Sequence, residues 1–460
     1  MGQLVIQPGA ERRRTSSHYT PPSLTAPIVR RTLEPLLAAM GAEPASERLL
    51  DLKVCDPAMG SGAFLVEACR FLADQVVAAW TREGRLDLVA STHGDVVLHA
   101  RRLVAQRCLY GVDKNPLAVS LARLSLWLVT LAKDEPFTFV DHALRHGDSL
   151  VGLDLEQIRS FHWKPGAQLE LARELIDTAL QEALDARQRI LSLAAQDDTH
   201  AKEHLLWDAN DALAPVRLIA DLIVGGFFAA SKDKAREAER KRRLDLVVRW
   251  LDSHREPPEE LVAMQKQLRE RVPAFHWWIE FPEVFYGERP DPLDGDRVNR
   301  VAWMDAFVGN PPFMGGSTIW PNFGSSYRDW LLAQYKEATG SSDLCGYFFR
   351  VSAKATWCQW IFHSDCDEDD ISGRHKEAAL RPIVSGVGEI VFAETNLPWP
   401  GAAAVSVSVI SIVLGSVKKH VRIRSLVDVR RQNQLPFDRG EPSETPVPRF
   451  GKRRHGIQVQ

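Results

Sequence analysis

The stretch that decides the fold is DPAMGSGAF, residues 56–64. It follows the apolar segment LDLKVCD at residues 50–56, which is typical of a short buried strand, and it precedes apolar residues at helical spacing. Gly60 and Gly62 let the backbone turn tightly and approach a ligand closely. Because the first turn of a helix offers unpaired N–H groups, this arrangement predicts a loop that binds a carboxylate or a phosphate.

A second strand–turn–helix unit follows the first. Residues 107–113 read as a strand, and Asn115 and Pro116 open a helix as its N-cap and its first helical residue. Further helices are expected over residues 24–40 and 95–106. This alternation of strands and helices predicts an α/β fold with a doubly wound sheet.

The middle of the chain has a different pattern. Residues 164–272 are rich in Ala, Leu, Arg and Glu, and apolar residues recur every seven positions from Leu169, with a second set three positions further on. This spacing is typical of helices packed as a hairpin or bundle, so we expect a helical insertion with a structural role. The strand pattern resumes at residues 303–309, and a strand pair is expected at 388–394 and 402–414.

Composition excludes several classes of protein. The 460 residues include 57 Lys and Arg against 60 Asp and Glu, and 45% are hydrophobic, which excludes a disordered, collagenous or disulfide-scaffold chain. The N-terminus lacks the apolar region of a signal peptide, and no apolar run has the length of a membrane span, so a cytoplasmic location is expected. The six cysteines form no CxxC pair, which argues against a zinc site. We expect Cys55, Cys69 and Cys108 to lie in the core.

Two aspartates follow the predicted strands. Asp113, in GVDKNP at residues 111–116, can accept two hydrogen bonds from a ribose diol. A plain turn with an asparagine cap is the alternative. Asp148, in HGDSL at residues 146–150, can accept a hydrogen bond from the exocyclic amine of a purine, and an ordinary turn aspartate is the favoured alternative when this segment is considered alone.

The tetrapeptide NPPF, residues 310–313, follows the predicted strand at 303–309. Pro311 and Pro312 fix the local backbone and remove two N–H donors. The side-chain oxygen of Asn310 and the carbonyl of Pro311 can then both accept from one amino group, and Phe313 can stack on a flat base. These residue types suit a reaction at an exocyclic NH2 group.

In this order, the segments resemble the motifs of the γ-type DNA adenine-N6 methyltransferases of bacterial restriction–modification and phage-defence systems, above all the methyltransferase halves of fused, type IIG-like enzymes. The likeness spans roughly residues 18–415. The matching segments are HYTPP at 18–22, DPAMGSGAFL at 56–65, GVDKNPLAV at 111–119, HGDSLVG at 146–152, FHWWIEFPEVF at 275–285 and NPPF at 310–313.

The resemblance implies a class I, S-adenosylmethionine-dependent fold that uses no metal. It places the methionine part of the cofactor at Thr20, Pro21, Asp56, Ala58, Gly60 and Gly62, the ribose at Asp113, and the cofactor adenine amine at Asp148. It assigns catalysis to the four residues Asn310, Pro311, Pro312 and Phe313, in which Asn310 and Pro311 hold the target N6 and Phe313 stacks on the flipped base. The implied partner is double-stranded DNA with a flipped adenine, and a separate target-recognition or restriction subunit is a further candidate.

The same resemblance suggests a division of the chain. The expected parts are a flexible tail at 1–17, a cofactor-binding half at 18–163, the helical insertion at 164–272, a catalytic half at 273–415 and a basic tail at 416–460. Residues 418–455 carry eleven basic and four acidic residues, which suits either nucleic acid or a solvated surface. We expect the chain to be truncated at its C-terminus, since this tail would hold at most the start of a target-recognition region.

One segment departs from the family pattern. Residues 354–376 include the acidic run DCDEDD and display no clear strand, so we expect this stretch to be abnormal and to impair the catalytic face. Three other functions stay open. They are a methyltransferase acting on RNA or a protein amide, a remnant that binds S-adenosylmethionine or DNA without turnover, and a plain nucleotide-binding α/β protein.

Overall fold

A computed structural model describes residues 20–131, 137–164, 172–193, 199–290, 298–299, 303–335, 338, 342–364, 383, 388–398 and 406–414. The helices are α1 Pro22–Ala39, α2 Ser46–Leu50, α3 Ala63–Arg82, α4 Leu86–His93, α5 Val96–Arg107, α6 Pro116–Val129, α7 Leu155–Arg159, α8 Arg173–Ser192, α9 Thr199–Ala212, α10 Ala214–Phe228, α11 Asp233–Ser253, α12 Glu259–Arg271, α13 Trp277–Glu280, α14 Pro282–Phe285, α15 Gly316–Phe323, α16 Ser325–Gln334 and α17 Leu344–Ala355. The strands are β1 Val54–Asp56, β2 Leu109–Asp113, β3 Leu144–His146, β4 Arg289–Pro290, β5 Val298–Asn299, β6 Met304–Gly309, β7 Thr356–Ser364, β8 Gly388–Pro398 and β9 Ser406–Leu414.

Seven strands form one sheet in the order β3-β2-β1-β6-β7-β9-β8. Strands β3, β2, β1, β6 and β7 pair in parallel, whereas β9 runs antiparallel to both β7 and β8. A mixed α/β fold with a parallel sheet is therefore confirmed, and the class I assignment stays a prediction. The strand expected at 50–56 begins only at Val54, because residues 46–50 close a short helix.

Helices cover both faces of the sheet. Successive residues of a strand point to opposite faces, so Val54 packs with α1, α3, α5 and α6, whereas Cys55 packs with helices from residues 155–285 and 325–355. Cys55, Cys69 and Cys108 are all buried, as expected. The heptad pattern is confirmed within α8, where residues 176, 183 and 190 and residues 179 and 186 are buried; Leu169 lies outside the described residues.

Buried ion pairs connect helices α8 and α10 to the segment FHWWIEFPEVF at residues 275–285. Arg187 of α8 donates two hydrogen bonds, of 2.9 and 2.8 Å, to the buried Glu283 carboxylate. Glu280 accepts from Arg217 of α10 at 2.7 Å and from Arg145 at 2.8 Å. Burial alone raises the pKa of Glu280, but the charges of Arg217 and Arg145 outweigh burial and hold that pKa below its usual value. The segment FHWWIEFPEVF thus carries the acidic partners of these helices.

The structure corrects one expectation. Residues 356–364 form β7, which lies between β6 and β9, so the expectation of no strand in residues 354–376 is wrong for this part. The segment TWCQWIFHS is rich in β-branched and aromatic residues, which favour strands. Residues 365–376, the two expected tails, and His18 and Tyr19 lie outside the described residues. Within the described part of the chain, no helix is both long and apolar enough to cross a membrane.

Candidate active site

The four predicted motifs meet at one edge of the sheet. They follow β1, β2, β3 and β6, which are neighbouring parallel strands in the order β3-β2-β1-β6. Carboxyl ends of parallel strands lie at the same edge, and ligands of open α/β sheets bind there. Residues far apart in the sequence therefore surround one region of the surface.

Asp113 ties the glycine loop to the next motif. Its Oδ2 accepts from the Gly60 backbone N–H at 2.8 Å, and its Oδ1 accepts from Asn115 N–H at 2.8 Å. Burial raises the pKa of Asp113 above its usual value. Each carboxylate oxygen keeps a second lone pair, so Asp113 can hold the loop and still accept from a ligand.

Two glycines of the loop adopt left-handed backbone angles. The φ values of Gly60 and Gly62 are +53° and +81°. A Cβ on Gly62 would lie 3.1 Å from Cβ of Ala122 in α6, so glycine also permits close packing of α3 on α6. Around Gly60, by contrast, a Cβ would meet nothing within 4 Å among the described residues, so this part of the loop faces open space.

Asp56 connects the glycine loop to the catalytic motif. It is buried, and its Oδ1 accepts from Ala58 N–H at 3.0 Å. A Cβ placed on Gly309 would overlap this carboxyl group, so the residue before Asn310 must lack a side chain. Burial, together with the charge of Asp113, raises the pKa of Asp56 to about 8.

Asp148 is buried and has three described partners. Its Oδ1 accepts from the Tyr327 hydroxyl and from Leu150 N–H, both at 3.1 Å, and its Oδ2 lies 2.7 Å from the Lys114 ammonium. The ammonium also lies over the rings of Phe323 and Tyr327, 4.4 and 4.6 Å from their centroids. None of these three contacts was predicted from the sequence, although Lys114 directly follows Asp113 in the second motif.

Asn310 comes directly after β6, and only the nitrogen of its side-chain amide has a hydrogen-bond partner among the described residues. Its Nδ2 donates to Oγ1 of Thr20 at 3.3 Å, whereas its Oδ1 is buried with no hydrogen-bond partner among the described residues. Thr20 is 4% exposed and precedes Pro21, the N-cap of α1. The carbonyl of Pro21 accepts from the first turn of that helix. The upstream and catalytic motifs are thus in direct contact.

The loop after Asn310 is held by a residue that the sequence analysis did not select. Oδ1 of Asp343 accepts from Met314 N–H at 3.3 Å and from Cys345 N–H at 2.9 Å. The carbonyl of Met314 accepts from Leu344 N–H at 2.9 Å. These bonds attach the chain after NPPF, in which Pro311 is buried and Pro312 and Phe313 are half-buried, to the start of α17.

Two known protein families match parts of the chain. The family described as Eco57I restriction-modification methylase matches residues 107–356, and the one described as MmeI, DNA-methyltransferase domain, matches residues 41–151. The Type II restriction enzyme and methyltransferase RM.Eco57I of Escherichia coli is 25% identical over 162 residues, which are 33% of this chain and 16% of that enzyme. The match thus spans a minor part of the curated relative.

Three solved structures align with most of the chain at low identity. The Type IIL restriction-modification enzyme MmeI in complex with DNA has a TM-score of 0.41 and 16% identity, over 89% of this chain and 39% of that one. The DrdV–DNA complex has a TM-score of 0.41 and 11% identity, over 90% and 28%. A nuclease-deletion mutant of the Type ISP enzyme LlaGI with a DNA substrate mimic has a TM-score of 0.40 and 10% identity, over 88% and 24%.

Proposed function

The chain belongs to the Eco57I restriction-modification methylase family, and from this premise we propose that it transfers a methyl group from S-adenosylmethionine to N6 of an adenine in DNA. The observation that carries the proposal is the Asn310 amide, whose buried Oδ1 has no partner among the described residues. A buried acceptor without a partner is costly and calls for an explanation. A donor on the substrate, such as an exocyclic amine, supplies one.

In the proposed reaction, the residues of NPPF hold and activate the target amine. The adenine amine is a poor nucleophile because its lone pair is delocalised into the ring. Oδ1 of Asn310 and the carbonyl of Pro311 can accept hydrogen bonds from its two N–H groups, which pulls the nitrogen towards tetrahedral geometry and localises that pair. Flipping the base out of the duplex costs a few kcal/mol, and stacking on Phe313 offsets part of this cost.

The residues around the glycine loop suit the proposed cofactor. When bound, S-adenosylmethionine supplies an electrophilic methyl group on a positively charged sulfur. The open space at Gly60 leaves room beside the loop, and Asp113 retains lone pairs for ribose hydroxyls. Asp56 and Ala58 line the methionine end together with Thr20, Pro21 and Gly62, and Asp148 is the acceptor for the adenine amine.

Transfer of labelled methyl groups to unmodified bacterial DNA tests the proposal. The purified chain is incubated with labelled S-adenosylmethionine, the DNA is hydrolysed, and the labelled nucleoside is identified. We expect label in N6-methyladenine with the wild-type chain and none with Asn310→Ala. Label in RNA or in protein amides instead would contradict the proposal, and so would bound cofactor without transfer to any DNA tested.

A further inference from the structure

We propose that Thr20 is a positioning residue that fixes the side-chain amide of Asn310 in the orientation needed for methyl transfer. This inference rests on the proposed function. It starts from the single described hydrogen bond of that amide, from Nδ2 of Asn310 to Oγ1 of Thr20 at 3.3 Å. The reacting amine must meet an acceptor, and only the oxygen end of the amide is one.

The two orientations of the amide differ in what they bury. With Nδ2 on Thr20, one oxygen is left without a described partner. With the amide reversed, the NH2 group and its two N–H donors would occupy that buried place. The Thr20 hydroxyl can donate or accept, so the preference comes from the other end of the amide, where unpaired buried N–H groups are rarer in proteins than under-satisfied oxygens. The orientation that presents Oδ1 is therefore favoured, and the bond from Nδ2 to Thr20 holds the amide in it.

The place of Thr20 relative to Asn310 is set by the packing of a helix on a strand. Thr20 directly precedes Pro21, the N-cap of α1, whose carbonyl accepts hydrogen bonds from Leu24 and Thr25 in the first turn. Ile28 and Val29 of this helix are buried in the same apolar cluster as Val308 of β6. Thr20 and Asn310 each lie at the end of one of these packed elements, so their separation is fixed by the core.

Burial strengthens the contact. Thr20 is 4% exposed, so little water competes for its hydroxyl. A hydrogen bond shielded from water is electrostatically stronger than one at the surface. Thr20 reaches the reacting amine only through Asn310, and its removal is therefore expected to slow the methyl-transfer step rather than to weaken DNA binding.

Kinetics of three variants test this role. Thr20→Val keeps the shape of the side chain and removes the hydroxyl, Thr20→Ser keeps the hydroxyl, and Thr20→Ala covers the case in which the valine variant fails to fold. At saturating cofactor, we expect Thr20→Val and Thr20→Ala to lower kcat roughly three- to tenfold, with little change in KM for DNA. Thr20→Ser should stay within about twofold of wild type. An unchanged kcat in Thr20→Val, or a loss confined to cofactor affinity measured by calorimetry, would overturn the inference.

Solvent exchange of the Asn310 amide gives a readout that needs no turnover. The chain is labelled with ¹⁵N-asparagine, and the NH2 resonances of Asn310 are assigned by their loss in Asn310→Asp. We expect one proton of this pair to exchange slowly in wild type and in Thr20→Ser, and roughly tenfold faster in Thr20→Val. Equal exchange in wild type and Thr20→Val would overturn the inference. Slow exchange in a chain that methylates nothing would instead refute the proposed function and leave the contact standing.

Discussion

The Lys114 ammonium lies 2.7 Å from Oδ2 of Asp148, the carboxylate proposed to accept the adenine amine of the cofactor. The other oxygen of Asp148 already accepts from Tyr327 and Leu150. The ammonium also rests against the rings of Phe323 and Tyr327. In the described structure, Lys114 thus occupies the same carboxylate and aromatic surface that a flat aromatic amine would use.

This contact predicts that removing the Lys114 ammonium raises the affinity for the cofactor. Lys114→Met removes the ammonium while keeping a long apolar side chain, so the cofactor amine no longer competes for Asp148. Because the side chain of Lys114 is about one-third exposed, solvent screens part of its attraction to the buried Asp148 carboxylate. We expect the affinity for S-adenosylhomocysteine, measured by calorimetry, to rise roughly two- to fivefold. Lys114→Arg, which keeps the charge, serves as control, and weaker binding by Lys114→Met would show that the lysine supports the ligand.

Some parts of this site could be predicted from the sequence and others could not. Local patterns predict the glycine loop and the Asn115 cap, because each lies in a turn that follows an apolar strand. They also predict those strands, which end at or just before Asp56, Asp113 and Asn310. The contact between Thr20 and Asn310 joins residues 290 positions apart and depends on how α1 packs on β6. No local pattern carries that information.

The same distinction explains the error at β7. Its strand character is visible in the aromatic and β-branched residues of TWCQWIFHS, but the adjoining acidic run obscured it. The partners of Asp148 were missed for a different reason. Tyr327, which donates to Asp148, and Phe323, which lies against Lys114, belong to helices that follow the catalytic motif, and only the fold brings them over Lys114.

Asp113 is expected to act on the cofactor and on the loop together. Asp113→Ala removes the proposed acceptor for the ribose and also the bonds to Gly60 and Asn115. We expect the affinity for S-adenosylhomocysteine to fall at least about tenfold, as expected for the loss of hydrogen bonds to a charged group. Circular dichroism should confirm that the fold is intact. Unchanged affinity in calorimetry would refute the ribose role.

The raised pKa of Asp56 predicts a pH dependence. Burial, with the charge of Asp113, raises this pKa to about 8, so the carboxyl group is mostly protonated at pH 7. The ammonium at the amino-acid end of the ligand favours the ionised carboxylate, and binding below pH 8 must therefore release a proton. The dissociation constant for S-adenosylhomocysteine should fall as the pH rises from 6 to 8, by up to about tenfold per unit, and then level off.

The control for this pH profile is Asp56→Asn. Asparagine keeps an acceptor for Ala58 N–H but does not titrate, so the variant should give a flat profile over the same range. Calorimetry in buffers with different ionisation enthalpies counts the released proton directly. A wild-type profile as flat as that of the variant would contradict the assignment of Asp56 to the charged end of the ligand.

Gly309 is expected to tolerate no side chain. A Cβ at this position would overlap the buried Asp56 carboxyl group, so Gly309→Ala must displace Asp56 or β6. We expect a loss of about 1–3 kcal/mol in the free energy of unfolding and a loss of methyl transfer. The matched control is Gly315→Ala, where a Cβ would meet nothing within 4 Å among the described residues. Equal stability of the two variants in chemical denaturation would contradict the overlap.

The pair of Arg187 and Glu283 is expected to stabilise the attachment of α8 to the sheet. Both side chains are almost fully buried, and the carboxylate accepts two hydrogen bonds from the guanidinium group. Glu283→Gln leaves the arginine charge buried without a counter-charge, which is strongly destabilising even though the pair as a whole contributes little net stability. We expect a loss of about 3 kcal/mol in the free energy of unfolding.

The exposed pair of Arg242 and Glu260 provides the comparison for this variant. Its side chains are 49% and 56% exposed, so Glu260→Gln should change the free energy of unfolding by less than about 1 kcal/mol. Urea denaturation followed by circular dichroism measures both variants under the same conditions. If Glu283→Gln were as stable as Glu260→Gln, water or another group would have to compensate Arg187, and the ion pair would not be what fastens α8 to the α/β fold.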